Sequence, residues 1–171
     1  MLTTMTMRSP LGELCLVARV DELAGVYLPD QPMPAGPRGA RPTPVLADAA
    51  AQLTEFFAGE RQTFALALHL VGTNFQQLVW SALQKIPFGE TWTYGQLARA
   101  IGRPSASRAV GAANSKNPLS IIVPCHRVIG ASGELTGYAG GMAAKRWLFD
   151  HERGHSMGAS LTAWRPGHSS L

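Results

Sequence analysis

Residues 93–113 read Thr-Tyr-Gly-Gln-Leu-Ala-Arg-Ala-Ile-Gly-Arg-Pro-Ser-Ala-Ser-Arg-Ala-Val-Gly-Ala-Ala. Thr93 with Gln96 is a capping-box pair, which opens a short helix holding Leu97, Ala98 and Ile101. Gly102 stops that helix. Ser105 or Ser107 then caps a second helix with Arg108, Ala109, Val110 and Ala113. Two short helices across a Gly-containing turn suggest a helix-turn-helix, although the pattern alone favours an ordinary αα-hairpin. The small, basic composition of the second helix favours the former. Alanine faces approach a nucleic-acid groove closely, and Arg108 supplies charge.

Upstream, Thr73 and Gln76 form another capping box. Phe75, Leu78, Val79, Ala82, Leu83 and Ile86 follow at helical spacing until Pro87. The first 28 residues read as strands, with Leu14, Leu16, Ala18 and Val20 alternating at period two. Residues 29–44 hold six of the chain's twelve prolines and read as a mobile Pro/Gly-rich loop. A helix with Val45, Leu46, Ala49, Leu53, Phe56 and Phe57 near one face follows, ended by Gly59. Residues 64–70 read as one more strand. Downstream of residue 113 come the turn Asn117-Pro118, the apolar run Leu119 to Val123, a Gly-rich loop from Gly130 to Gly141, and a helix from about Met142 to Glu152. The expected organisation is an α/β N-terminal domain over 1–74, a mostly α C-terminal domain over 75–155, and a tail over 156–171.

The 171 residues carry a net charge of +4, unevenly placed. Residues 1–74 hold five Arg and seven acidic residues, whereas 75–155 hold nine Lys or Arg and four acidic residues. The second half is where a polyanion could bind, although the charge alone reads first as a solvated basic surface. No apolar stretch approaches a membrane span, and no secretory signal opens the chain, so a cytoplasmic location with no membrane partner is expected. Cys15 and Cys125 are the two cysteines. In a reducing compartment they are expected to be free thiols. Cys15 lies in an alternating strand and reads as inert packing.

Cys125 differs: Pro124 precedes it, and His126 and Arg127 follow it, at the end of an apolar segment. Cationic and imidazole neighbours favour the nucleophilic thiolate. On these residues alone a catalytic, a redox and a structural thiol remain open.

The run Pro124-Cys125-His126-Arg127-Val128 resembles the active-site pentapeptide of the O6-alkylguanine-DNA alkyltransferases, in the bacterial type. Flanking blocks extend the resemblance over roughly residues 75–155, about half the chain. Upstream are Arg108-Ala109-Val110-Gly111-Ala112-Ala113, Asn117-Pro118 and Ile121-Ile122-Val123, and downstream are Leu135-Thr136-Gly137-Tyr138-Ala139-Gly140-Gly141 and His151-Glu152. The resemblance implies a ribonuclease H-like N-terminal domain, a helix-turn-helix in the C-terminal one, and base-flipping repair of double-stranded DNA carrying O6-alkylguanine, with O4-alkylthymine as a second candidate lesion. Transfer would be irreversible and stoichiometric, with no cofactor, no metal and no obligate protein partner, by a monomer.

It also implies roles. Cys125 would accept the alkyl group, His126 would remove its proton through a water, and Glu152 would orient the imidazole. Asn117 would brace the helices against the active site. Tyr94 would rotate the nucleotide's phosphate and protonate the leaving guanine. Arg108 would fill the gap left by the flipped base, with Ala109, Ala113 and Lys116 also contacting DNA. Val123, Pro124, Val128, Tyr138 and Ala139 would line the guanine pocket. Residues Asn114-Ser115-Lys116 depart from the Asn-Gly pair common in bacterial members, which should tune DNA contact only.

His151-Glu152-Arg153-Gly154-His155 matches the H-E-x-x-H zinc-protease pattern. Gly154 is expected to stop the helix before His155, and Leu161 stands where a third ligand would fall. The competing function is a non-enzymatic protein that recognises alkylated bases and recruits other repair factors. Such relatives lack the cysteine that is present here. A transcription regulator is disfavoured because residues 1–74 are short and lack a cysteine-rich metal module. A thiol hydrolase is disfavoured because His126 directly follows the nucleophile.

Overall fold

A computed structural model describes residues 2–34, 38–39 and 42–156. They divide into two compact units. The first takes the chain up to Val71 together with Pro118–Ile122, and the second takes Gly72–Asn117 and the chain from Val123 onward. The break therefore falls three residues before the expected 74/75 boundary. The apolar run before Cys125, expected in the C-terminal domain, belongs mostly to the first unit.

In the first unit, β1 (Leu2–Ser9), β2 (Gly12–Arg19) and β3 (Glu22–Tyr27) form an antiparallel meander. A two-residue strand, β4 (Arg38–Gly39), pairs parallel to β1 and gives the order β3-β2-β1-β4. The expected loop over 29–44 is thus not wholly irregular; its residues 35–37 and 40–41 lie outside the described residues. Helix α1 (Pro44–Phe57) packs on the sheet with Leu46, Ala49, Leu53 and Phe56 fully buried. Thr43 caps it by accepting from the Leu46 amide, and Pro44 fits the first helical position, where no amide donor is needed. Cys15 is half-buried rather than buried.

The strand expected over residues 64–70 shrinks to a single bridge between Leu23 and Leu68. The amide of Leu23 donates to the Ala67 carbonyl, and that of His69 donates to the Leu23 carbonyl. Nearby, the Gln52 side chain serves both backbone groups of Ala65, donating to its carbonyl and accepting from its amide. A side-chain amide there mimics the partner that a ladder would supply. Pro118–Ile122 is stitched to the same unit: the Val26 amide donates to the Pro118 carbonyl, and Ser120 Oγ donates to Gln31 Oε1.

The second unit holds α2 (Asn74–Leu83), α3 (Tyr94–Ala100), α4 (Ser107–Ser115) and α5 (Met142–His155). Both capping boxes form as expected, with side-chain and backbone bonds in each direction. On α2, Leu78 is exposed, and Trp80 occupies the core and donates its indole N–H to the Ala113 carbonyl of α4. A two-stranded parallel ribbon, β5 (Trp92–Thr93) with β6 (Val128–Ile129), was not legible in the sequence because each strand has only two residues. Helix α4 has Ala106 at its N-cap with no side-chain bond, so neither Ser105 nor Ser107 caps it. Among the described residues no helix is long and apolar enough to cross a membrane.

Helix α3 ends at Gly102, φ +72°, in a Schellman arrangement: the Gly102 amide donates to the Arg99 carbonyl and the Arg103 amide to that of Ala98. A Cβ on Gly102 would meet nothing within 4 Å, so only backbone conformation opposes it. Gly111, inside α4, would place a Cβ 3.6 Å from the Tyr94 ring, an ordinary contact. The same substitution should therefore have opposite signs. Gly102→Ala should cost about 1 kcal/mol and Gly111→Ala should gain roughly 0.5–1 kcal/mol, read as midpoint shifts in urea unfolding.

Candidate active site

The approach to Cys125 is two tight turns. The Ile122 amide donates to the Ser120 carbonyl across Ile121, whose φ of +75° marks the rarer, strained γ-turn. A β-branched residue there is a conformational outlier of about 1–3 kcal/mol. The side chain of Ile121 is 1% exposed, so packing holds the strain. The Cys125 amide then donates to the Val123 carbonyl across Pro124, at φ −80° and ψ 64°, an inverse γ-turn. Residues Cys125–Arg127 form one turn of 3-10 helix leading into β6.

Cys125 is buried, and its Sγ accepts from Asn117 Nδ2 at 3.2 Å. The same Nδ2 donates to the Val123 carbonyl at 2.8 Å, so Asn117 spans the second turn. Asn114 Nδ2 reaches the Cys125 carbonyl at 3.4 Å. Burial pushes the thiol above its usual value, outweighing Asn117, the Lys145 charge and a hydrogen bond from Tyr138. At neutral pH the group therefore rests as a thiol and needs a base, whatever its cationic neighbours contribute.

His126, the next residue in the chain, is the expected base. Its Nε2 lies 2.7 Å from Glu152 Oε2. Burial lowers its basicity more than Glu152 restores it, so the ring is neutral at pH 7. An ionised carboxylate only accepts, which assigns the ring proton to Nε2 and leaves Nδ1 as the acceptor. Nδ1 is buried and meets no hydrogen-bond partner among the described residues. Burial opposes charge on Glu152, yet His126 and Arg127 hold its carboxyl down at about 2.

Arg127 was expected to favour the thiolate; it turns instead to Glu152, with Nε 2.8 Å from Oε1 and Nη2 2.9 Å from Oε2. Its Nη1 donates to the Ile86 carbonyl, and its guanidinium lies over the Phe88 ring. The cation bearing on Cys125 is Lys145, which sequence reasoning missed. It is fully buried, burial lowers it to about 8, and its Nζ donates to the Thr136 carbonyl at 2.6 Å. Its signal was position: Lys145 shares the inward stripe of α5 with Ala144, Leu148, His151 and Glu152.

The remaining expected residues are dispersed. Tyr94 opens α3 half-buried, its hydroxyl oxygen accepting from Thr136 Oγ1 at 3.1 Å. Val123, Pro124 and Val128 are buried around the cysteine turn, Tyr138 is half-buried and Ala139 is exposed. Arg108, Ala109 and Lys116 are exposed on and beside α4. Ala113 is not: it is buried and its carbonyl takes the Trp80 indole, so it cannot contact DNA. On α4 the outward positions are instead Arg108, Ala109, Ala112 and Ser115.

Gly154 does not stop α5, which runs to His155. His151 and His155 share one face, ring centroids 4.5 Å apart. The zinc-protease pattern still fails chemically. His155 Nδ1 bonds to the His151 carbonyl, Glu152 is committed to His126 and Arg127, and no group of three metal-ligating side chains gathers among the described residues.

The chain is similar to known proteins over most of its length. Residues 74–154 match the family described as 6-O-methylguanine DNA methyltransferase, DNA binding domain. The Mycobacterium leprae methylated-DNA–protein-cysteine methyltransferase is 49% identical over 158 residues, covering 92% of this chain and 95% of that protein. The constitutive Bacillus subtilis protein of the same name is 46% identical, covering 86% and 93%. The crystal structure of Mycobacterium tuberculosis OGT in complex with DNA superposes with a TM-score of 0.85 at 45% identity, covering 94% of this chain and 98% of that one.

Removing the guanidinium would leave the buried Glu152 charge with His126 alone. Arg127→Ala should cost about 3–5 kcal/mol in denaturant unfolding. Arg127→Lys should recover only part, because an ammonium cannot make the two parallel bonds.

Proposed function

The chain belongs to the methylated-DNA–protein-cysteine methyltransferase family, and from that premise we propose that it repairs DNA by direct reversal, moving an alkyl group irreversibly from O6-alkylguanine onto its own Cys125. The observation that carries this reading is the Asn117–Cys125 contact beside a neutral His126 whose Nε2 is committed to Glu152. A thiol, a base with one free nitrogen and an orienting carboxylate are nucleophile, base and orienter, the logic of a hydrolytic triad used once.

His126 Nδ1 takes the thiol proton through a water. Sγ attacks the alkyl carbon in line, the S–C bond forms as the C–O6 bond breaks, and the electron pair leaves on guanine. The resulting imidazolium is stabilised by Glu152. Tyr94 gives the departing guanine a proton. Asn117 fixes the turn that carries Cys125, and Val123, Pro124, Val128, Tyr138 and Ala139 form the wall of the base pocket. The thioether has no adjacent group to cleave it, so each molecule acts once.

Helices α3 and α4 act as a helix-turn-helix on double-stranded DNA, with Arg108 standing in for the flipped base and Ala109 and Lys116 beside it. The strand order β3-β2-β1-β4, with β4 parallel to β1, supports a ribonuclease H-like reading of the first unit. The protein works as a monomer in a reducing cytoplasm, where Cys125 stays free. A purely recognitional role is disfavoured by the presence of Cys125, buried and bonded to Asn117.

Mass spectrometry after mixing with duplex DNA containing O6-methylguanine tests the class. One methyl should appear on the Cys125 peptide, at no more than one per protein, and none after Cys125→Ala. Turnover with excess substrate would sink the suicide mechanism. The fall of the transfer rate with acid should have its midpoint below pH 6.5, because burial makes His126 protonate below its usual value of 6.5.

Arg108→Ala should slow repair of duplex O6-methylguanine yet leave reaction with free O6-benzylguanine nearly normal, since the free base needs no extrusion. A mispaired lesion should recover part of the loss. Equal losses on both substrates would place Arg108 in the active site itself.

A further inference from the structure

In the Gly-rich segment between β6 and α5, one residue binds two helices of the second unit. Thr136 uses its carbonyl to accept from the buried Lys145 ammonium at 2.6 Å, and its hydroxyl lies 3.1 Å from the Tyr94 hydroxyl. Lys145 is fully buried and carries a charge that needs such a partner. The segment is thus tied to α5 through its main chain and to α3 through a side chain.

We propose that Thr136 is a positioning residue for alkyl transfer: by donating its hydroxyl proton to Tyr94, it turns the Tyr94 proton toward the leaving guanine. The inference rests on the reading of Tyr94 as the donor to that base. A phenol has one proton and can point it in one direction. With Thr136 donating into the phenol oxygen, that proton is excluded from the Thr136 side and left for the substrate. As it departs, negative charge develops on the Tyr94 oxygen, and the threonine donor is already aimed at it. Lys145 holds the Thr136 backbone in place while this happens. The balance closes: Tyr94 loses its proton to guanine and regains one from water, and His126 returns to water the proton it took from the thiol.

The test is a double-mutant cycle on single-turnover rates with saturating methylated duplex, each rate read as methyl on the Cys125 peptide. Thr136→Val keeps the carbonyl that Lys145 needs and removes only the hydroxyl. It should slow transfer about tenfold, the scale of one hydrogen bond to a charged group, with duplex affinity and melting temperature unchanged. Thr136→Ser should restore the rate. In a Tyr94→Phe background, Thr136→Val should add no further loss, because the group it orients is gone. Independent, multiplying losses, an unchanged rate in Thr136→Val, or failure of the serine to rescue would overturn the role of Thr136. Full activity in Tyr94→Phe would overturn the reading of Tyr94, and the inference with it. No methyl transfer by the wild-type protein would overturn the function itself.

Discussion

The carboxylate of Glu152 sits at the centre of three hydrogen bonds, one from His126 and two from Arg127. A buried carboxylate without partners costs several kcal/mol, so the site exists only because Arg127 neutralises it. His126 and Arg127 are sequence neighbours on the 3-10 turn, and both reach back to one residue on α5. A tight turn thereby becomes a rigid bracket. The nucleophile on that turn inherits the rigidity. Remove the carboxylate and the imidazole loses its fixed tautomer, while the guanidinium becomes an unpaired buried charge. The catalytic arrangement and local stability therefore rest on the same atoms.

Much of this was legible in the residues. Capping boxes at Thr73 and Thr93 and the stop at Gly102 are local chemistry, and they appear where the sequence places them. Cys125, His126 and Glu152 were legible through a resemblance whose blocks stand in order, and the first unit's meander through period-two alternation. What escaped depends on distant partners. The segment over 64–70 alternates like a strand, but a glutamine on α1 takes up its backbone groups. Ala113 matches a DNA-facing helix by composition, yet Trp80 from α2 covers it. Gly154 looks like a stop, but a helix ends at glycine only if the chain can leave there, and α5 continues one more residue. Arg127 and Lys145 were visible only as charges; which acid or carbonyl each one serves is a tertiary fact.

The energetics of Cys125 run against the intuition that a nucleophile should be primed. Burial keeps the thiol protonated, and protonated thiols resist both oxidation and adventitious alkylation. A protein that acts once gains from this, because every stray reaction removes one molecule from service. Reactivity then has to be supplied by the substrate-bound state. In the proposed reaction His126, held neutral by burial and aligned by Glu152, takes the proton as the S–C bond forms. The resulting imidazolium sits against an ionised carboxylate that needs no rearrangement to receive it. A lowered imidazole and a raised thiol, each the product of the same burial, make proton transfer unfavourable at rest. It becomes favourable only when coupled to the loss of the alkyl group from guanine.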